Sequence, residues 1–212
     1  MFGIQDLGVF IAAGFMLNLM PGPDSLLIMT RSATQGWRAG SAAALGIGAG
    51  TFVHIFAAAL GLSAVLSTSA TAFTVVKLIG AAYILWMAVG LLRSKRREQT
   101  PAAAPALPAL PYRKIFAQGF LTNVLNPKVA LFFLAFVPQF IGADAPNKAL
   151  AFIVLGCIFN INGMLYCHLL ALFTAQASAR LKLPAGASLW LNRATGGLFV
   201  WLGVKLALAK QS

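Results

Sequence analysis

The sequence predicts an all-α polytopic membrane protein: six transmembrane helices in a 3+3 inverted repeat, with the first helix of each half broken. Three observations predict it. Hydrophobic residues make up 59% of the chain and charged residues 9%, against roughly a quarter charged in a soluble domain, so too little polar surface exists to face water. Long apolar runs alternate with short polar connectors, and no charge lies between Arg38 and Lys77. Finally, a break in the first apolar run recurs in the fourth.

Taken in order, the apolar runs place spans at about 7–30, 39–66, 70–92, 115–141, 149–175 and 188–209, each near the ~20 residues that cross a bilayer. The first holds "NLMPGPDSLLIMT", with two prolines, a glycine and an aspartate inside it. The second is crowded with small residues, "AGSAAALGIGAG", and Gly46 and Gly50 have the GxxxG spacing that lets helices pack closely in lipid. The third holds "KLIGAAYILWMAVGLLR", with Lys77 near its outer end, where the side chain can snorkel. The fourth, "GFLTNVLNPKVALFFLAFVPQF", carries the second break. The fifth contains Cys157 and Cys167, about 15 Å apart on a helix and so too far for a disulfide. The sixth has Gly196, Gly197 and Gly203 for packing and ends near a second snorkelling lysine, Lys205.

The connectors set the direction. Eleven of the sixteen basic residues lie in the first, third and fifth connectors: Arg31, Arg38, Arg93, Lys95, Arg96, Arg97, Arg113, Lys114, Arg180, Lys182 and Arg193. The positive-inside rule makes those connectors cytoplasmic and both termini external. Trp37 and Trp190 fall near cytoplasmic ends, where aromatic belts occur. "MFGIQDLGVF" has no basic leader, so a cleaved signal peptide is not expected. Net charge of +12 on so apolar a chain reports orientation rather than nucleic-acid binding. The Pro/Ala-rich 98–112 stretch reads as an extended linker between two halves, 1–97 and 113–212.

The breaks form a pair. "FMLNLMPGPD" from Phe15 aligns with "FLTNVLNPKV" from Phe120, matching Phe15 to Phe120 and Asn18 to Asn123. Three spans per half make the second copy run opposite to the first. Proline removes a donor and clashes with the preceding turn, so both helices should stop there. They should restart with Pro23 and Pro127 in the first helical position, Asn126 capping the second restart. Pro21 lies roughly 21 Å along its span and Asn126 roughly 18 Å along its own. Both breaks thus sit deep in the membrane, with two positive helix ends aimed at one interior region. The amides of Asp24, Ser25, Lys128 and Val129 there make a candidate carboxylate cradle. Broken helices at matching places in inverted halves are the mark of a transporter site.

Asp24 is the one carboxylate within a predicted span, and an intramembrane acid is a functional candidate. It is expected to bind a substrate ammonium, accept a coupling proton, or pair with Lys128. The plain alternative is a helix cap that neutralises Lys128. Pro21, Gly22, Pro23, Ser25, Asn18, Asn123, Asn126, Pro127 and Lys128 complete the candidate site. Thr51, His54, Asn160 and Asn162 are secondary pathway candidates, and with His168 they serve equally as interhelical hydrogen-bonding groups.

Along nearly its whole length the chain resembles the LysE/RhtB amino-acid exporters. The resemblance rests on "PGPDSLLIMTRSATQGWRAG" followed by "GIGAGTFVH", on "KLIGAAYILWMAVGLLR", on "GFLTNVLNPKVALFFLAFVPQF" and on "LNRATGGLFVWLGVKLAL". It implies efflux of amino acids or close derivatives across the bacterial cytoplasmic membrane, driven by the proton gradient. Separately, neither histidine has a metal-ligand partner at helical spacing, and no cofactor or metal is expected. The family's signature positions fall on Pro21, Gly22, Pro23, Asp24, Asn126, Pro127 and Lys128. Many members have acids where this chain has Thr51 and Asn162, so a strongly cationic substrate such as lysine is less supported. An intramembrane enzyme would need a nucleophile with its base, or clustered acids around a metal, and the spans hold a single acid. A scaffold would tolerate changes at the breaks. The partners expected are therefore a small molecule, protons and lipid, with self-association left open and no nucleic acid.

Overall fold

The structure is a computed structural model that describes residues 2–62 and 109–180, with isolated positions in 71–93 and 197–204. Apart from those positions, the third and sixth spans lie outside the described residues, as do most of the 98–112 linker, Lys77, Trp190, Gly196, Gly203 and Lys205. Among the described residues the chain is all-helical. The only β pairing there is an isolated bridge between Ile4 and Ile141.

The first span is two helices, α1 (Leu7–Leu19) and α2 (Pro23–Gln35), bent 54° at the Met20–Gly22 break. Met20 is extended, Gly22 caps α2, and Pro23 takes its first turn, where a missing donor is harmless. Gly36, with φ at +82°, ends α2 and turns the chain into α3 (Trp37–Ala57), which continues as a π turn over Ala58–Leu62. The fourth span repeats the device. Helix α4 (Tyr112–Val124) stops before Asn126 and α5 (Pro127–Leu131) restarts from it, 46° off line. A π turn over Phe132–Phe136 and a 3₁₀ turn over Val137–Phe140 extend α5. Helix α6 (Lys148–Arg180) is continuous. Two described helices are thus apolar and long enough to cross a membrane unbroken, and four spans result if each bent pair is one.

The two broken spans run antiparallel, tied at three levels. At one end the Gln5 amide donates to Phe140 O at 2.9 Å and the Gly142 amide to Gly3 O at 2.8 Å. In the middle Asn123 reaches Asp24. At the other end Arg31 donates to Gln118 at 3.0 Å, while Gln35 exchanges hydrogen bonds with both backbone groups of Leu110. Arg31 was expected in the first connector. Instead α2 runs on to Gln35 and buries it, 6% exposed, because Gln35 and Gln118 satisfy its guanidinium.

Helices α3 and α4 meet backbone to backbone. A methyl on Gly46 would strike Phe116 O, one on Gly119 would strike Ala43 O, and one on Gly50 would lie 2.8 Å from Phe120 O. The GxxxG of the second span is therefore a contact between the two sequence halves. Towards the Phe140 end, Phe10, Phe132, Phe133, Phe136, Phe140 and Phe159 interlock, with Phe132 stacked on Phe159 at 4.4 Å between centroids. Such aromatic pairs add about 0.5–1.5 kcal/mol each beyond area burial.

Candidate functional site

Each break is engaged by a charged side chain from the other, at backbone carbonyls in the first and at side-chain amides in the second. Stopping α1 at Pro21 frees carbonyls that the helix would otherwise consume. Lys128, on the first turn of α5, crosses over and donates from Nζ to Leu17 O at 3.2 Å and Met20 O at 3.1 Å. Gly22 suits this approach, since a Cβ there would press to 3.3 Å from the ammonium. In return Asp24, on the first turn of α2, points at the second break. Its Oδ2 accepts from Asn123 Nδ2 at 2.9 Å and from Asn126 Nδ2 at 3.1 Å. The two charges thus stabilise each other's breaks, and no ion pair joins them.

Asn126 works on both sides. While donating to Asp24 it accepts from the Lys128 amide through Oδ1 at 3.0 Å, the cap expected of it. The Lys128 amide is consequently occupied and leaves the proposed carboxylate cradle. Asn123 is the hub of the remaining contacts. Its Oδ1 accepts from Thr51 at 3.3 Å, and its backbone carbonyl lies 3.0 Å from His54 Nε2. Both asparagines are 2% exposed.

Beside this network lies a cavity of about 30 Å³. Asn18, Asp24, Ser25, Thr51, Asn123, Lys128 and Asn160 supply its polar wall, and Leu17, Ile47, Val129, Phe159 and Met164 much of the apolar one. Two buried side-chain atoms on this wall have no hydrogen-bond partner, Asp24 Oδ1 and Asn18 Nδ2. Such atoms are costly inside a protein.

The structure therefore brings together Asn18, Asp24, Ser25, Asn123 and Lys128, with Asn126 immediately behind them. Pro21, Pro23 and Pro127 are exposed and shape the breaks without lining the cavity. Among the secondary candidates, Thr51 and Asn160 line it, with Asn160 donating to Gly48 O at 3.3 Å. His54 stands behind Asn123 and stacks on Phe133, while Asn162 is off the wall. His168 bonds within its own helix to Met164 O.

Apart from Asn160, sequence reasoning missed one wall of the site. Phe159, Asn160, Gly163, Met164, Tyr166 and Cys167 of α6 all face the cavity. Their spacing of three and four is one helical face, a signal hidden because apolar and polar residues are mixed along it. Tyr166 lines the cavity together with Ser25, a juxtaposition no spacing announces.

Comparison with known proteins places this chain in a lineage. The chain is 33% identical over 216 residues to an uncharacterized membrane protein of Pseudomonas aeruginosa, covering 99% of this chain and 98% of that one. It is 29% identical to a leucine efflux protein of an Enterobacter species, covering 97% of each. It is 26% identical to a leucine efflux protein of Salmonella typhimurium, covering 97% of this chain and 96% of the other. No solved structure matches the chain significantly. Residues 15–210 match the family described as LysE type translocator, so this multi-pass membrane protein belongs to that family.

Proposed function

We propose that the protein exports amino acids or close derivatives across the bacterial cytoplasmic membrane, driven by the proton gradient, through alternating access to the cavity between the two breaks. The observation that carries this reading is Asp24. Its carboxylate lies between two helix restarts with Oδ2 satisfied twice and Oδ1 not at all. A substrate ammonium on Oδ1 completes the carboxylate. A proton there removes the charge that holds the ammonium. One site serving both in turn exchanges an entering proton for a leaving amino acid.

The apolar wall of Leu17, Ile47, Val129, Phe159 and Met164 suits an aliphatic side chain, and relatives named leucine efflux proteins support leucine as a first substrate. At about 30 Å³ the cavity holds a water or two, so an amino acid enters only when one end opens. The Gly3–Gln5 contacts with Phe140 and Gly142 would form the outer closure, and Arg31 and Gln35 with Gln118 and Leu110 the inner one. Both are made here, as in an occluded state. The moving parts are not two whole halves. Helices α3 and α4 come from different halves yet touch through backbone, so they move as one.

The test is efflux of a panel of amino acids from loaded proteoliposomes with and without a pH gradient. Gradient-dependent export of aliphatic members supports the reading, and no export of any member overturns it.

A further inference from the structure

Asn18 breaks the symmetry of the site, and the break has a chemical meaning. The repeat offset pairs Asn18 with Asn123, and Asp24 with Val129. In the first relationship the structure is complete, because Asn123 Nδ2 donates to Asp24 Oδ2 at 2.9 Å. The counterpart of that bond would run from Asn18 to position 129, where valine offers no side-chain acceptor. Asn18 Nδ2 is accordingly buried with no partner, lining the same cavity as Val129. Beside it, Gly163 leaves room at the amide, where an added Cβ would come into contact at 3.4 Å from both amide atoms.

We propose that Asn18 anchors the substrate carboxylate, so that the cavity reads both charged groups of an amino acid at fixed places. The inference rests on the exporter reading above and names the second contact of that site. Asp24 Oδ1 takes the ammonium. Asn18 Nδ2 takes the carboxylate, joined by Lys128, whose ammonium has three donors and spends two on Leu17 O and Met20 O. Val129 in place of an acid keeps the anion-binding side free of negative charge.

The experiment is equilibrium binding of L-leucine to the purified full-length protein in detergent, with competition by 3-methylbutylamine, which keeps the cation and side chain but lacks the carboxylate. Asn18→Ala should weaken leucine binding about 10- to 100-fold, the range for a hydrogen bond to a charged group, and leave competition by the amine unchanged. Asn18→Asp, nearly isosteric, should weaken leucine further than alanine does, because it sets a carboxylate against a carboxylate. Unchanged leucine affinity in Asn18→Ala overturns the proposal. So does an aspartate variant milder than the alanine variant, the order expected if Asn18 only supports the fold. If the amine does not compete even with the wild-type protein, the order of the two variants decides alone. Wild-type protein that binds no leucine, and exports no member of the panel, counts against the exporter reading itself and takes the anchor with it.

Discussion

Lys128 Nζ lies 3.1 Å from Met20 O, so the cation of one broken helix closes the open end of the other. Two unwound segments inside a membrane would each strand backbone groups in a medium that cannot hydrate them. Here the stranded groups are shared out. Lys128 covers the carbonyls of the first break, and Asn123 and Asn126 draw Asp24 onto the second.

Lys128→Met keeps the stem and removes the donors, leaving Met20 O unpaired and Leu17 O with the Met20 amide alone. Unsatisfied buried groups cost about 1–3 kcal/mol. The thermal midpoint in detergent should fall by several degrees, with Lys128→Arg intermediate. An unchanged midpoint would mean that the breaks hold without the crossed contact.

Gly46→Val should prevent α3 and α4 from meeting, since even a methyl there strikes Phe116 O. The expected outcome is little monodisperse protein on size-exclusion chromatography. A substitution at Gly61, where an added Cβ meets nothing, should leave yield unchanged. Normal yield of Gly46→Val would refute the backbone contact.

The two cysteines supply a reporter for opening. Cys167 lines the cavity and is buried. In a Cys157→Ala background, Arg31→Ala with Gln118→Ala should loosen the inner closure and speed alkylation of Cys167 several-fold. Equal alkylation rates would show that these residues do not gate the site.

Orientation is checked separately. A single cysteine placed in the 98–111 connector, in a Cys157→Ala, Cys167→Ala background, should stay shielded from an impermeant thiol reagent in intact cells and react after permeabilisation. Labelling of intact cells would reverse the expected topology.

The breaks and their pairing were legible because proline and asparagine act locally: their effect on a helix needs no knowledge of neighbours. Asp24 was legible because a lone acid in an apolar run is conspicuous. The partner of each charge was not. A stretch of sequence does not state that Lys128 bonds to carbonyls of the opposite span, nor that Arg31 is sheltered by Gln118, because both contacts join residues far apart in the chain. The α6 wall was hidden for a related reason. In a membrane protein a helix can be apolar on both its lipid side and its packed side, so periodicity does not single out the cavity face.

The most direct test of the account is Asp24→Asn in proteoliposomes loaded with leucine. Asparagine keeps an oxygen for the amides of Asn123 and Asn126 and loses only the charge, so the protein should insert and purify normally. Gradient-driven export should fall to the level of empty liposomes. Export at the wild-type rate with unchanged pH dependence would contradict a role for Asp24 in transport.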